Sequence, residues 1–463
     1  MLELLNTFLW GPGTLALILG TGAWLTLRTG GFPQRNLGRA LGLSLGREAR
    51  KKGKNGVSPF GSLMTALAST VGTGNIVGVS AALVSGGPGA LVWMELAALL
   101  GLATKFAECM LAVKYRRVRQ DGTRWGGPMA VMEARLGAPG RWMGKLFAVF
   151  ALLMAFTMGA MAQSGALADT FAAAFTMPRY KVGLATAVLA LIILLGGVRS
   201  IVGASTVLVP VMAFLYIGGG LAVILGNGDR LPEAMALMVR CAFAPEAALG
   251  GALGTVTRQS AIRWGVARGV FSNEAGLGSA AITAACADTE DPVRQGLISM
   301  TGVFFDTTVI CTVTGLCICA SGVLGTADAS GGQVNGVALT ALAFKTVLGP
   351  LGGLLVSLGI VLFAFSTILG WEFCGETAFA FLFGRRAIPL YRILFALAAF
   401  LGATQSLEVV WNLSDIFNAL MAVPNLISLL FLSGTAAREL EAFQPEIRRG
   451  RRLRQRRAVR RAL

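Results

Sequence analysis

Two stretches decide how this chain is read: Ser69-Thr70-Val71-Gly72-Thr73-Gly74-Asn75-Ile76-Val77-Gly78 and Phe271-Ser272-Asn273-Glu274-Ala275-Gly276-Leu277-Gly278-Ser279. Each sits inside a run apolar and long enough to cross a bilayer. A glycine within a helix costs up to about 1 kcal/mol relative to alanine, and Asn or Glu at membrane depth costs more. A plain anchor has no use for either. A helix that unwinds to line a cavity does. Unwinding frees carbonyls that can ligate a cation, and it leaves a half-helix N-terminus whose N–H groups and dipole hold a carboxylate. Interrupted spans at matching positions of two halves point to a transporter site. Small residues serving only close helix packing are the simpler alternative. That alternative suits Gly86, Gly87 and Gly89, which lie near a turn.

The rest of the chain fits around these two stretches. Of 463 residues, 55% are hydrophobic and 14% charged, and the mean hydropathy is +0.69. A soluble multidomain protein is excluded, since an ordinary soluble domain is roughly a quarter charged. Eleven candidate spans follow, at about 7–28, 58–84, 86–114, 142–174, 180–198, 200–226, 257–286, 293–320, 351–384, 387–404 and 409–436. Two shorter apolar pieces, 231–243 and 334–348, read as interfacial or re-entrant. The first segment has no basic region before it and no small-residue cleavage site after it, so it reads as a span rather than a leader.

Counting the spans gives the symmetry. Asn75 and Asn273 are 198 residues apart. With the second span as core helix 1, the seventh is core helix 6, and each half holds five. An odd number forces the second half to begin on the opposite side, so the halves form an inverted repeat. The expected organisation is an extra membrane helix and basic loop (1–57), a first five-helix repeat (58–230), a second inverted repeat with an interfacial extracellular segment (231–436), and an arginine-rich tail (437–463).

Charge supplies the orientation. There are 40 Lys and Arg against 23 Asp and Glu, a formal net charge of +17. The basic clusters after the first and third spans and the tail from Arg438 to Arg461 fall on one side of an eleven-span chain. By the positive-inside rule that side is the cytoplasm, with the N-terminus outside and the C-terminus inside a plasma (inner) membrane. The tail reads as topogenic charge beside anionic lipid, not as a nucleic-acid surface. No histidine occurs, which excludes a Ser-His-Asp triad, a His-metal catalyst and a histidine switch. The seven cysteines form no CxxC pair and read as packing residues, with neither a disulfide framework nor a metal site.

Several segments together resemble the alanine/glycine:cation symporter family. They are Gly72-Thr73-Gly74-Asn75-Ile76-Val77-Gly78 with Gly86-Gly87-Pro88-Gly89-Ala90, Ala103-Thr104-Lys105-Phe106-Ala107-Glu108, Lys114-Tyr115-Arg116, Gly126-Gly127-Pro128-Met129, Phe271-Ser272-Asn273-Glu274-Ala275-Gly276 and Phe365-Ser366-Thr367-Ile368-Leu369-Gly370-Trp371. The resemblance implies an all-α polytopic membrane protein of leucine-transporter type, within the amino acid–polyamine–organocation superfamily. It implies symport of a small amino acid, alanine or glycine, with Na⁺ or H⁺ and no cofactor. Ala130-Val131 and Ala280-Ala281 depart from the family pattern without touching its core motifs.

A small zwitterion needs partners at both ends. N–H groups of Gly72, Thr73 and Gly74, and the Thr73 hydroxyl, suit the carboxylate. Carbonyls near Phe271 and Ser272, or the Asn273 side chain, suit the ammonium. Asn75 belongs to the same break, and the resemblance places a ligand-contacting glutamine at Gln163. Phe271 and Trp371 are expected to wall the pocket. Ser366 and Thr367, with carbonyls near Thr70 and Val71, are expected to make an oxygen cage for Na⁺; a hydroxyl bonding back to its own helix is the alternative. Glu274 is expected to pair with Arg268, and Lys105 with Glu108, which lies three residues on. Asp306, Glu372, Glu376 and Glu408 are left without a role, and one of them must carry the proton if H⁺ is the coupling ion. A channel and an intramembrane enzyme are the rival classes. The paired breaks argue against the first, and no nucleophile–base pair stands out for the second. An H⁺-coupled transporter of the same fold for another amino acid or amine is the nearer rival.

Overall fold

The computed structural model describes residues 2–51, 57–120, 122–244, 256–327, 331–405 and 407–462. Lys52 and Lys54 of the first basic loop lie outside these residues, as do the side chains of the arginine tail from 444 onward. The described chain is helical apart from a short hairpin, β1 (Arg117–Val118) paired antiparallel with β2 (Arg124–Trp125). In hydrocarbon, helices satisfy every backbone group internally.

Besides short helices in the connections at Phe32–Arg35, Leu37–Leu45, Arg47–Arg50 and Pro128–Arg135, the helices in chain order are α1 (Leu2–Leu9), α2 (Pro12–Arg28), α3 (Pro59–Thr70), α4 (Val77–Gly86), α5 (Ala90–Lys114), α6 (Gly137–Ala173), α7 (Arg179–Leu195), α8 (Gly197–Gly226), α9 (Leu231–Phe243), α10 (Arg258–Asn273), α11 (Ser279–Ala285), α12 (Pro292–Ser321), α13 (Gly336–Leu348), α14 (Pro350–Phe383), α15 (Ile388–Thr404) and α16 (Leu407–Ala462). Among the described residues, eight helices are long and apolar enough to cross a membrane, nine with the bent pair α3–α4. The two further expected spans are helical as well. α7 has 17 residues, and α10 with α11 forms a broken helix that carries Arg258, Arg263 and Arg268 in its first arm. This is a multi-pass membrane protein. The expected interfacial pieces are the short helices α9 and α13.

Both expected breaks are present. Between α3 and α4 the axis bends by 62°, and Thr73–Asn75 forms one 3₁₀ turn. Gly72 has extended backbone, and it is glycine because of a close approach: a Cβ there would lie 2.5 Å from Thr367 Oγ1. Between α10 and α11 the chain turns through left-handed backbone at Glu274 (φ 54°), Gly276 (φ 90°) and Gly278 (φ 87°). Glycine takes that conformation freely, whereas Glu274 pays of order 1 kcal/mol. Neighbouring structure must hold it there.

Two further irregularities had no forecast. α6 carries a π-helical stretch at Ala155–Ala162, and α12 carries one at Phe304–Cys311. Such bulges mark functional positions in helices. Here the first ends against Gln163 and the second contains Asp306.

The loops that carry basic residues meet on one face. Lys114 pairs with Glu439, and Arg116 donates to the carbonyl of Ala287 at 2.7 Å. Val57 bridges Ala287, with Asp288 N donating to Val57 O at 2.7 Å. The ends of α5, α11 and the membrane part of α16 therefore share a side with the first basic loop.

Candidate functional site

The site is built where the two breaks meet α6, α12 and α14. Gly72 N–H is taken by Asn75 Oδ1 at 2.9 Å, so Asn75 caps the break from within. The first N–H groups of the following 3₁₀ turn belong to Thr73 and Gly74 and lack intrahelical partners. Thr73 Oγ1 donates to Gln163 Oε1 at 3.2 Å, and both residues are fully buried. The Gln163 amide nitrogen is left with a weak contact to Met158 Sδ at 3.6 Å. A buried amide with an under-used donor beside a helix N-terminus is equipped to hold a carboxylate.

Phe271 covers this turn. Its ring lies 3.6 Å from where a Gly74 Cβ would be, so alanine there would just touch it. It also packs on Trp411 with centroids 5.9 Å apart, an α16 aromatic that the motifs did not mark. Trp371 is fully buried across from Gly159 of the π stretch, and its Nε1 donates to Glu274 Oε1 at 3.1 Å.

Asn75, Ser272 and Asn273 converge on α12. Asn75 Nδ2 donates to Asp306 Oδ1, and Ser272 Oγ to Asp306 Oδ2, both at 2.8 Å. Asn273 Nδ2 donates to Thr307 Oγ1 at 3.0 Å, while its Oδ1 accepts from Ala275 N at 2.9 Å. Asp306 thus ties the two broken helices together, a role the sequence left unassigned. The available signal was its position: a carboxylate inside an apolar span, which is rarely there without work to do.

Thr367 Oγ1 bonds to its own helix at Phe363 O (2.9 Å) and sits 3.4 Å from the freed carbonyl of Val71. Ser366 Oγ bonds to Phe363 O at 2.9 Å and faces Met212 Sδ at 3.3 Å. The two neighbouring hydroxyls therefore differ. The Thr367 hydroxyl joins the break, whereas Ser366 bonds back to its helix.

Two expected pairings are corrected. Arg268 does not meet Glu274; it forms a two-pronged pair with Asp415 of α16, at 3.1 and 2.8 Å. Glu274 accepts from Ser279 Oγ and Trp371 Nε1, because its left-handed backbone turns it inward. Lys105 and Glu108 do not bond each other among the described residues. Lys105 Nζ donates to the freed carbonyl of Asn273 at 2.7 Å, and Glu108 Oε2 accepts from Gly276 N at 3.2 Å and Asn425 Nδ2 at 3.1 Å. The unwound segment offers a bare carbonyl and bare N–H groups, which outcompete a neighbour on the same helix. Both residues therefore splint the second break.

The sequence model of the sodium:alanine symporter family matches residues 1–457. The sodium/alanine symporter AgcS of Methanococcus maripaludis is 45% identical over 453 residues, covering 97% of this chain and 98% of that protein. The probable sodium/glutamine symporter GlnT of Bacillus subtilis is 38% identical, covering 92% of this chain and 87% of its own. Among solved structures, that of MhsT in complex with L-phenylalanine superposes with a TM-score of 0.56 at 17% identity, over 84% of this chain and 99% of that one. That likeness carries the fold, a leucine-transporter-type arrangement. With a family match over nearly its whole length and a relative at 45% identity, the chain belongs to the sodium:alanine symporter family of Na⁺-coupled amino-acid transporters, which are not enzymes.

Proposed function

We propose that the chain imports a small neutral amino acid, alanine or glycine, with Na⁺ by alternating access. The carrying observation is the hydrogen bond from Thr73 to Gln163 at the first break, 3.2 Å long and fully buried, beneath the Phe271 ring. In this reading the substrate carboxylate takes the N–H groups of Thr73 and Gly74 with the Gln163 amide, and its ammonium takes carbonyls near Phe271 and Ser272. Gly72, Asn75 and Asn273 hold the breaks in shape, while Phe271 and Trp371 wall the pocket against larger side chains, since overfilling a packed site costs about 1–3 kcal/mol. Na⁺ is held by the Thr367 hydroxyl with the carbonyls of Thr70 and Val71, and Ser366 joins only by rotating off Phe363. Hard oxygen ligands of this kind suit a hard cation. Each ligand orders a segment the other needs, so each raises the other's affinity.

The N-terminus lies outside and the C-terminus in the cytoplasm of the inner membrane, supported by the shared face of the basic loops. The divisions at 57, 230 and 436 follow the repeat count. An H⁺-coupled variant of this reading has one supporting observation: Glu372 is fully buried and among the described residues neither carboxyl oxygen has a hydrogen-bond partner, with Arg392 Nε 3.9 Å from Oε1. Uptake of alanine and glycine into proteoliposomes, with Na⁺ and pH gradients imposed separately, separates the two. Uptake that follows neither gradient sinks both.

A further inference from the structure

Beside the first break, α3, α8 and α12 enclose a cavity of about 230 Å³. Its walls are apolar: Leu67 and Val71 of α3, Ala213 and Ile217 of α8, and Phe305 and Ile310 of α12. Leu67, Val71 and Ile310 are buried and form its back, whereas Pro210, midway along the membrane helix α8, is exposed at its rim. The cavity therefore opens toward lipid. Apolar cavities of about 150 Å³ stay dry and take up hydrocarbon guests, and this one is larger.

One end is charged. Arg50 of the first basic loop lines the cavity and lies over the Phe60 ring at 4.9 Å. Lys51 pairs with Glu48 at 2.6 Å, while Arg50 has no carboxylate partner among the described residues. The length is that of one leaflet. Val71 comes eleven residues after Phe60, about 16 Å at 1.5 Å per helical residue, and half of a hydrocarbon core of about 30 Å is nearly the same. A guanidinium at headgroup level above an apolar shaft complements an anionic phospholipid, with the phosphate at Arg50 and one acyl chain in the shaft.

The shaft ends against the candidate site. Val71 lines it, and the Val71 carbonyl faces Thr367 Oγ1 at 3.4 Å. Ile310 belongs to the π-helical stretch that carries Asp306, and the adjacent Cys311 Sγ accepts from Asn75 Nδ2 at 3.3 Å. Resting on the transport reading above, we propose that an anionic phospholipid from the leaflet on the basic-loop side inserts one acyl chain here and braces the first break. The chain holds Val71 and Ile310 in the arrangement that binds Na⁺, and Na⁺ affinity falls when it leaves.

The test uses the full chain, purified and reconstituted with phosphatidylglycerol that carries a diazirine midway along one acyl chain. Photolysis should label peptides containing Leu67, Ala213 or Ile310. Unmodified phosphatidylglycerol should compete, and phosphatidylcholine should not. Arg50→Gln should lower the labelling about fivefold, the factor carried by one basic residue beside anionic lipid. Ala213→Trp, which fills the shaft, should abolish it. For wild-type uptake, the half-saturating Na⁺ concentration should be at least about fivefold higher in phosphatidylcholine vesicles than in vesicles that also hold phosphatidylglycerol. For Ala213→Trp the two vesicles should give the same value. Groove peptides left unlabelled, as a second copy of the chain seated there would leave them, overturn the proposal. Equal competition by the two lipids overturns it too, as does a wild-type Na⁺ dependence indifferent to lipid. Failure of the transport reading has a different signature: the labelling pattern persists, but no amino acid enters vesicles of either composition.

Discussion

Asn75 Nδ2 lies 2.8 Å from Asp306 Oδ1, across 231 residues of sequence, and through that one bond the first broken helix is anchored to α12. The same carboxylate receives Ser272 Oγ at 2.8 Å, which anchors the second break to the same atom group. Both breaks therefore hold the same carboxylate. A shared partner of this kind carries coupling if its loss changes transport, which the first substitution measures.

Asp306→Asn keeps the shape but removes the charge and replaces one acceptor oxygen with a donor, so Asn75 and Ser272 compete for what remains. Each hydrogen bond to a charged group contributes about 1.5–3 kcal/mol. Alanine uptake per inserted protein should fall by at least about tenfold, with normal membrane insertion. Initial rates normalised to the amount of membrane protein check this, and a wild-type rate would remove Asp306 from the coupling.

Thr367→Val deletes a hydroxyl while keeping the side-chain volume. If that oxygen ligates Na⁺ beside the Val71 carbonyl, the half-saturating Na⁺ concentration rises, on the order of tenfold. The alanine KM at saturating Na⁺ should change little. Ser366→Ala, by contrast, removes a hydroxyl already bonded to Phe363 O and Met212 Sδ and should leave the Na⁺ dependence near wild type. Equal Na⁺ curves for wild type and Thr367→Val would contradict the assigned cage.

Thr73→Val and Gln163→Leu address one interaction from its two ends. Each should raise the alanine KM, the first by about fivefold for a neutral hydrogen bond of roughly 1 kcal/mol. Gln163→Leu should cost more, because it also deletes the amide donor. Since the two residues touch, the double variant should lose less than the sum, with a coupling of about 0.5–3 kcal/mol. Strict additivity would mean that the bond has no part in binding.

Trp371→Phe keeps an aromatic ring against Gly159 but removes the N–H that meets Glu274. The buried carboxyl then loses a partner, which costs about 1–3 kcal/mol. The purified variant should unfold at a lower temperature than wild type, measured by thermal melting in the same detergent. A smaller residue at Trp371 should also admit larger neutral amino acids as competitors of alanine uptake.

The two breaks were legible because their residues contradict their surroundings. Glycines, an asparagine and a glutamate inside apolar runs are costly in a plain helix, so Gly72, Gly74, Asn273 and Glu274 stand out without any coordinates. The same reasoning failed for Glu274 and Arg268. Six residues of separation suggests proximity, but the left-handed turn at Glu274 aims its side chain at Trp371 and Ser279, leaving Arg268 for Asp415. It failed again for Lys105 and Glu108, where a bare carbonyl and a bare N–H from the unwound segment outcompeted the helical neighbour.

By itself the amino-acid sequence determined the apolar spans and the positions of both breaks. Each follows from local composition, because transferring a residue into hydrocarbon costs or gains free energy regardless of its distant neighbours. Only the tertiary structure decided which buried polar groups share partners: Asp306 with Asn75 and Ser272, Arg268 with Asp415, Asn6 and Trp10 with α16. A buried donor must find an acceptor wherever the fold brings one within about 3 Å, and that partner lies on another helix, 34 residues away for Ser272 and Asp306 and 409 for Asn6 and Asp415.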